Sequence, residues 1–328
     1  MATYKGIQGR SVQNLATDPA SIEDSRGQLW YNSTTGTFKL ATENAVSAGA
    51  WASAPSLNTG RYYFHGGGST TAGIVAAGSP GGQHTETFDG SSWSTVASLN
   101  AVKSYPGVGG SMTAAVLAGS QSGSEDNSEI WDGTSWSETG NLNTGRGNAA
   151  PVKGPSTATI IAGGSGGGIP GNPGATETFN GTIWTETGHA MNSPSVQGKA
   201  GLGTQTAMMS VGGEPTATVS ETYDGSTWTE GNGINSGRGN FSGSGITTAG
   251  IIFGGAPVSF GAYSETYDGT SWSAAPTTAQ THGPGTAGGD VGSSLNSAFA
   301  AGGYAPGAVA HVDIWTYTQF AAKTVTVS

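Results

Sequence analysis

Residues 263–272 read YSETYDGTSW, and the pattern occurs four more times in the chain. Residues 83–93 are QHTETFDGSSW, 126–136 DNSEIWDGTSW, 175–184 ATETFNGTIW and 219–228 VSETYDGSTW. Each copy ends on a tryptophan: Trp93, Trp136, Trp184, Trp228 or Trp272. Trp51, in GAWASAPSLNTGR, shares the context of Trp136, in SWSETGNLNTGR, and starts the series. Successive tryptophans are 42, 43, 48, 44 and 44 residues apart. A sixth unit follows Trp272 and reaches HVDIW at 311–315, which aligns with NSEIW at 127–131. A period of about 40–50 residues marks a chain built from repeated supersecondary units.

The order inside each unit is constant. A Gly- or Asn-rich segment follows the Trp, and then comes a short apolar run ending in glycine. Those runs are AGIVAAG (72–78), AAVLAG (114–119), ATIIAGG (158–164), AMMSVGG (207–213), AGIIFGG (249–255) and SAFAAGG (297–303). Short continuous apolar runs suit strands buried on both faces. A variable loop, the ETY or ETF strand, a DG turn and the Trp strand complete the unit. Asp-Gly between two strands is expected to form a tight hairpin with both central residues at positive φ. No segment carries the apolar i, i+3, i+4 spacing of a helix. Four short strands per unit match a β-propeller, one blade per unit, rather than a linear array. Six units with a lone Trp strand before the first favour closure: the Trp51 strand supplies the outermost strand of the last blade and removes an open edge. The expected fold is all-β, a six-bladed propeller over 49–328 behind a small segment, 1–48, with a hairpin at 27–40.

The pattern resembles the kelch repeat: an apolar strand ending in Gly-Gly, an aromatic, then a tryptophan. The Gly-Gly is complete at 163–164, 212–213, 254–255 and 302–303 and reduced to Gly78 and Gly119 in the first two units. The motif W(S/T)…NLNTGRG…GG…ETYDGTSW is similar to kelch-type virion proteins of cyanophages and other marine phages. The opening MATYKGIQGRSVQNLA, followed by GQLWYNSTTGTFKL, resembles the N-terminal region of phage tail or fibre proteins. The resemblance covers 51–315. It implies a non-enzymatic virion component (tail fibre, tail tip or head decoration) located in the virion, with other virion proteins as partners through 1–48. It also implies a propeller displayed toward a host-surface glycan or receptor, and the chain is a candidate homo-oligomer. The alternative is a glycan-binding lectin or a glycan-processing enzyme, with Tyr62, Tyr63, Phe260 and Tyr304 stacking on sugars. Residues 1–48 read either as an attachment or oligomerisation element or as a clamp folded against the propeller. Tyr31 and Phe38 are placed to imitate a blade's outer hairpin. Residues 316–328 read as a final strand of the last blade or one pairing with a neighbouring subunit.

Composition narrows the chemistry. Of 328 residues 58 are glycine and none is cysteine. The absence of Cys excludes disulfide frameworks, Cys-ligated zinc, iron–sulfur clusters and a Cys nucleophile. It also excludes the Cys–Tyr copper site of galactose oxidase, another kelch-type propeller. Eleven Lys and Arg against 21 Asp and Glu give a formal charge of −10, which argues against nucleic acid as a partner. No apolar run is long enough for a membrane-inserted helix, and the first residues lack the apolar core of a secretory signal.

Two repeated rings stand out. The basic one lies ten positions after each Trp: Arg61, Lys103, Arg146, Arg238 and His282, with Pro194 in the fourth unit. The acidic one lies seven positions before the Trp: Glu86, Glu129, Glu177, Glu221 and Glu265, with Asp313 in the last unit. The basic ring is expected near the channel mouth, on the face of the variable loops, where it reads as a binding rim. In the competing structural reading it satisfies the glutamates, because a buried glutamate needs a partner. The turn acids Asp89, Asp132, Asp224 and Asp268, with Asn180, are similar to the Asp-box of sialidases, itself a structural turn, with one residue fewer. No catalytic residue, cofactor or metal is assigned. His65, His84, His189, His282 and His311 share no ligand spacing. The segment 124–127 (SEDN) reads as a solvated loop before a calcium loop. The stretch 165–175 (SGGGIPGNPGA) lacks the helix and Lys-Ser/Thr pair of a phosphate loop.

Overall fold

The structure of the chain is a computed structural model. It describes residues 12–17, 29–42, 49–121, 125–148, 150–165, 174–193, 198–214, 217–257, 261–284, 287–289, 295–317 and 321–325. The described residues contain strands and no helix. They form two compact units, residues 1–49 with 317–328, and residues 50–316.

The larger unit consists of six four-stranded antiparallel sheets. Sheet 1 is His65–Ser69, Ala72–Ala76, Thr85–Phe88 and Trp93–Thr95. Sheet 2 is Gly107–Ser111, Ala114–Ala118, Ser128–Trp131 and Trp136–Glu138. Sheet 3 is Ala150–Lys153, Thr159–Ala162, Ala175–Phe179 and Trp184–Ala190. Sheet 4 is Ala200–Thr204, Ala207–Val211, Ser220–Tyr223 and Trp228–Gly231. Sheet 5 is Ser242–Ile246, Ala249–Phe253, Ser264–Tyr267 and Trp272–Ala275. Sheet 6 is Ala287–Gly289, Ser297–Ala301, Val312–Thr316 and, from the start of the unit, Ala50–Ala54. That last strand pairs Trp51 with Trp315. The first strands of the sheets touch in sequence from sheet 1 to sheet 6, and that of sheet 6 touches that of sheet 1.

Each strand has the composition its place demands. The second strands are mostly apolar, broken only by Thr159, Ser210 and Ser297, and Ile74, Val75 and Ala76 are fully buried. The first strands crowd backbone against backbone. A Cβ on Gly67 would lie 2.5 Å from the Gly110 carbonyl oxygen of the next sheet, so glycine is required there. On the third strand Glu86 and Phe88 share the buried side while Thr87 is half-exposed, as period-two alternation dictates. Phe88 then pairs across the hairpin with Trp93, ring centroids 5.0 Å apart. Sheets 2 to 5 repeat this aromatic pair at 4.9–5.5 Å, and Trp315 with Trp51 repeats it in sheet 6 at 5.4 Å. Such offset or tilted pairs contribute about 0.5–1.5 kcal/mol each beyond area burial.

The DG turns depart from the sequence expectation. They are four-residue loops, closed by Asp89 N to Ser92 O at 3.3 Å, and of the two residues only Gly90 has a positive φ (94°). The cause is the aspartate side chain. Asp89 Oδ1 accepts the N–H groups of Ser91 and Ser92, both at 2.8 Å, which folds the loop around the carboxylate. A bond from the Ser91 hydroxyl, seconded by these two, holds the exposed Asp89 carboxyl down to about 2. Asp132 is held to about 2 by the equivalent bonds.

The smaller unit is one four-stranded sheet. Leu29–Asn32 and Thr37–Thr42 form its hairpin, with Gln13–Leu15 parallel to the first strand and Ala321–Val325 antiparallel to the second. Tyr31 lies opposite Phe38, rings 5.2 Å apart. Asn32 Oδ1 accepts the N–H groups of Thr34 and Thr35 and shapes the turn. The sequence boundary at 49–328 is therefore corrected at its far end. Residues 317–328 group with residues 1–49, because Ala321–Val325 pairs with Thr37–Thr42 and not with sheet 6.

Candidate functional site

The two repeated rings meet inside the larger unit. Arg61, Lys103, Arg146, Arg238 and His282 are all buried, as are Glu86, Glu129, Glu177, Glu221, Glu265 and Asp313. Arg61 Nη2 pairs with Glu86 Oε1. Arg146 Nη2 lies 2.7 Å from Glu177 Oε1, and Arg238 Nη2 2.6 Å from Glu265 Oε1. Arg146 also donates through Nη1 to the Ala175 carbonyl at 2.7 Å. Burial pushes all three guanidiniums below their ordinary value, and the paired glutamates offset part of this. The surface-rim reading of these five residues is thus corrected. A buried carboxylate on the third strand draws each base inward, away from any ligand outside.

Each acid also fixes backbone. Glu177 accepts the N–H of Asn143 at 2.8 Å and of Thr144 at 3.3 Å, plus the Asn143 amide at 2.9 Å. That amide donates as well to the Trp184 carbonyl at 3.0 Å. Asn58, Asn100, Asn192 and Asn235 do the same for Trp93, Trp136, Trp228 and Trp272 at 2.9–3.0 Å. These asparagines clamp the segment leaving one sheet onto the third strand of the next. The sequence reading missed them, although the repeated N in SLNTGR, SLNAVK and NLNTGR was its signal.

Three sheets vary the pairing. Lys103 Nζ donates to the Asn127 carbonyl at 3.2 Å, and burial lowers its pKa while Glu129 is the largest favourable charge. In sheet 6, His282 Nε2 lies 3.1 Å from Asp313 Oδ2, and the Gln280 N–H donates to the same oxygen at 2.8 Å. Burial disfavours the Asp313 carboxylate, yet these bonds outweigh it and hold the carboxyl below its usual range. Pro194 of the fourth unit lies outside the described residues. Glu221 there accepts from the Asn192 and Ser193 N–H groups at 2.6 and 2.8 Å. The charge facing it is Lys199, which is 2% exposed and whose Nζ makes no hydrogen bond. Lys199 stands out of register with the basic ring, so spacing gave no warning of it.

A second series links the sheets at the start of their first strands. Tyr63, Tyr105, Asn148, Gly198 and Asn240 all have left-handed backbones, with φ between 53° and 70°. The N–H of each donates to the carbonyl of the one before, at 3.0, 2.8, 3.0 and 2.7 Å. They surround a narrow cavity of about 10 Å³, room for about one water, that Lys199, Phe64 and Phe241 also line. Asn240 Nδ2 donates to Glu214 Oε1 at 2.5 Å, and burial pushes the Glu214 carboxyl up. Tyr105 stacks on Tyr63 at 4.0 Å and 22°. Burial first, and the hydrogen bond with Tyr63 second, raise the Tyr105 hydroxyl. No protein-family model matches the chain, and no curated protein matches it.

The remaining candidates separate. Tyr62, Tyr63 and Tyr304 come together, while Phe260 lies outside the described residues, as do Ser124 and most of the 165–175 stretch. Among the described residues no three His, Asp or Glu side chains converge as metal ligands.

Proposed function

We propose that this chain is a non-enzymatic phage virion component, a tail-fibre, tail-tip or head-decoration protein. Its larger unit is read as a closed six-bladed kelch-like propeller that displays one face outward. The single observation carrying this reading is the burial of the repeated ions. Arg61–Glu86, Arg146–Glu177, Arg238–Glu265 and His282–Asp313 join the segment leaving one sheet to the third strand of the next. Acids and bases placed so are spent on rigidity, and rigidity suits display. Closure is supported by the cyclic contacts of the first strands and by the Trp51 strand lying in sheet 6. The virion assignment is supported by the N-terminal resemblance. The smaller unit, which gathers Gln13–Leu15, Leu29–Asn32, Thr37–Thr42 and Ala321–Val325 into one sheet, is proposed as the attachment element.

The test is a virion map by electron cryo-microscopy together with activity assays on purified protein. Density for the smaller unit against a capsid or tail protein is expected. Glycan cleavage by the purified chain would overturn the non-enzymatic reading in favour of the glycan-processing alternative.

A further inference from the structure

One backbone position is filled in two ways. Asn148, Gly198 and Asn240 suit the left-handed conformation, since glycine lacks a Cβ and asparagine tolerates it. Tyr63 and Tyr105, at 57° and 54°, do not suit it. Nothing in the hydrogen-bond series asks for an aromatic, because the bonds use only backbone atoms. Strain that local structure does not require points to a role for the side chain.

Those rings belong to a larger group. Tyr62 meets Tyr63 edge-on at 4.7 Å and Tyr304 edge-on at 5.2 Å, so four tyrosines run from sheet 6 across sheet 1 to sheet 2. Tyr304 is 40% exposed, and Tyr62, Tyr63 and Tyr105 are half-buried. Beyond the arc, along the same left-handed series, lie the Asn240 amide and the Glu214 carboxylate. Glu214 packs over Gly198, where a Cβ would meet its Cγ at 3.2 Å. The nearby cations Arg61, Arg238 and Lys199 are buried. Aromatic faces beside a few hydrogen-bonding groups, with no accessible Lys or Arg beside them among the described residues, match the C–H faces and hydroxyls of a sugar. A carboxylate within a chain of charge −10 repels anionic sugars and phosphates.

We propose that Tyr62, Tyr63, Tyr105 and Tyr304, with Asn240 and Glu214, form a binding site for an uncharged pyranose oligosaccharide. The proposal rests on reading the chain as a display protein. The full chain is screened on an array of neutral and N-acetylated hexopyranose oligosaccharides, and hits are titrated calorimetrically. Tyr62→Ala and Tyr304→Ala are each expected to weaken binding at least tenfold. The double variant Tyr63→Asn/Tyr105→Asn is expected to lose binding while its unfolding midpoint rises, because asparagine fits the backbone. That opposite movement separates recognition from folding. Absence of any bound sugar at millimolar concentration, binding confined to anionic sugars, or affinity unchanged in these variants would each overturn the site. So would capture of an unstructured peptide at the arc in place of sugar. Cleavage of a bound sugar would support the site and overturn only the non-enzymatic reading.

Discussion

Sheet 3 permits a quantitative test of what the buried acid does. In a simple ion pair the two charges depend on each other, and replacing both by apolar residues of similar volume is neutral or stabilising. Glu177 is different, because three N–H groups from Asn143 and Thr144 converge on it besides Arg146. Arg146→Met leaves a buried carboxylate that still accepts those three bonds. Removing one partner of a buried pair costs about 3–5 kcal/mol. The loss stays within that range, because the bonds retained on Glu177 offset part of it while the Thr144, Gly163 and Ala175 carbonyls lose the donors that Arg146 supplied. Glu177→Leu leaves a buried guanidinium without its counter-charge, and three N–H groups on the partly exposed Asn143 and Thr144 lose their acceptor at about 1 kcal/mol each. The loss is then about 6 kcal/mol or more, comparable with the whole stability of many domains. The double variant removes both charges but not the three donors, so it is expected to remain about 3 kcal/mol or more below the parent. Urea titrations followed by tryptophan fluorescence and far-ultraviolet circular dichroism measure all four proteins. A double variant within about 1 kcal/mol of the parent would refute the reasoning, as would Arg146→Met costing as much as Glu177→Leu.

Three further outcomes are expected. The folded-state pKa of Asp89 and Asp132, about 2, lies below the unfolded value. Their contribution is therefore complete above the ordinary carboxyl pKa of about 3.9 and lost as pH falls toward 2. Asn180 makes the same turn bonds to Thr182 and Ile183 at 3.0 Å. Changing Asp89, Asp132, Asp224 and Asp268 to Asn should therefore preserve the fold and flatten thermal stability against pH along that acid limb, as read by calorimetry. Thr85→Val removes the acceptor of Trp136 Nε1, 2.9 Å from the Thr85 hydroxyl. It should cost about 1–3 kcal/mol in denaturant titrations, whereas Thr85→Ser should cost less. Ala77 holds φ at 69°, where Gly163, Gly212, Gly254 and Gly302 serve in later units. Ala77→Gly should change stability by less than about 1 kcal/mol, since relief of about 1–2 kcal/mol is offset by the entropic cost of glycine and by loss of a fully buried methyl in the core, about 0.8 kcal/mol.

What could be read from the sequence was what repeats. The Trp strands, the apolar second strands and the alternation of Glu86 with Phe88 are local patterns, and they give the observed strands. The partnership of the basic and acidic rings also followed from chemistry, because a buried glutamate demands a donor. The burial of the bases themselves was not legible, since exposure depends on how the connecting segment folds back over the third strand. The DG dipeptide misled because turn statistics weigh the backbone, whereas here the aspartate carboxylate organises four residues. Lys199 and the strand Ala321–Val325 act through contacts that no period encodes. The left-handed backbone at Tyr63 and Tyr105 has no local signature, for tyrosine is a poor choice there.

Departures from a repeat template are informative once the template's physics is known. Pro194 removes a base, and Lys199 supplies charge toward the same glutamate from another position. The last unit shortens acid and base together, to Asp313 and His282, and Gln280 adds hydrogen bonds to the same carboxylate. Both departures maintain the compensation of a buried charge, so stability accounts for them. Tyr63 and Tyr105 compensate for nothing. They strain a position that asparagine or glycine fills without penalty elsewhere, and they stack on one another beside two further tyrosines. The same logic reduces what the net charge of −10 says about partners. Much of that acidity lies in the buried ring and the turn aspartates, where it is matched by backbone N–H groups and buried bases. The irregular tyrosines therefore say more about recognition than the regular charges do.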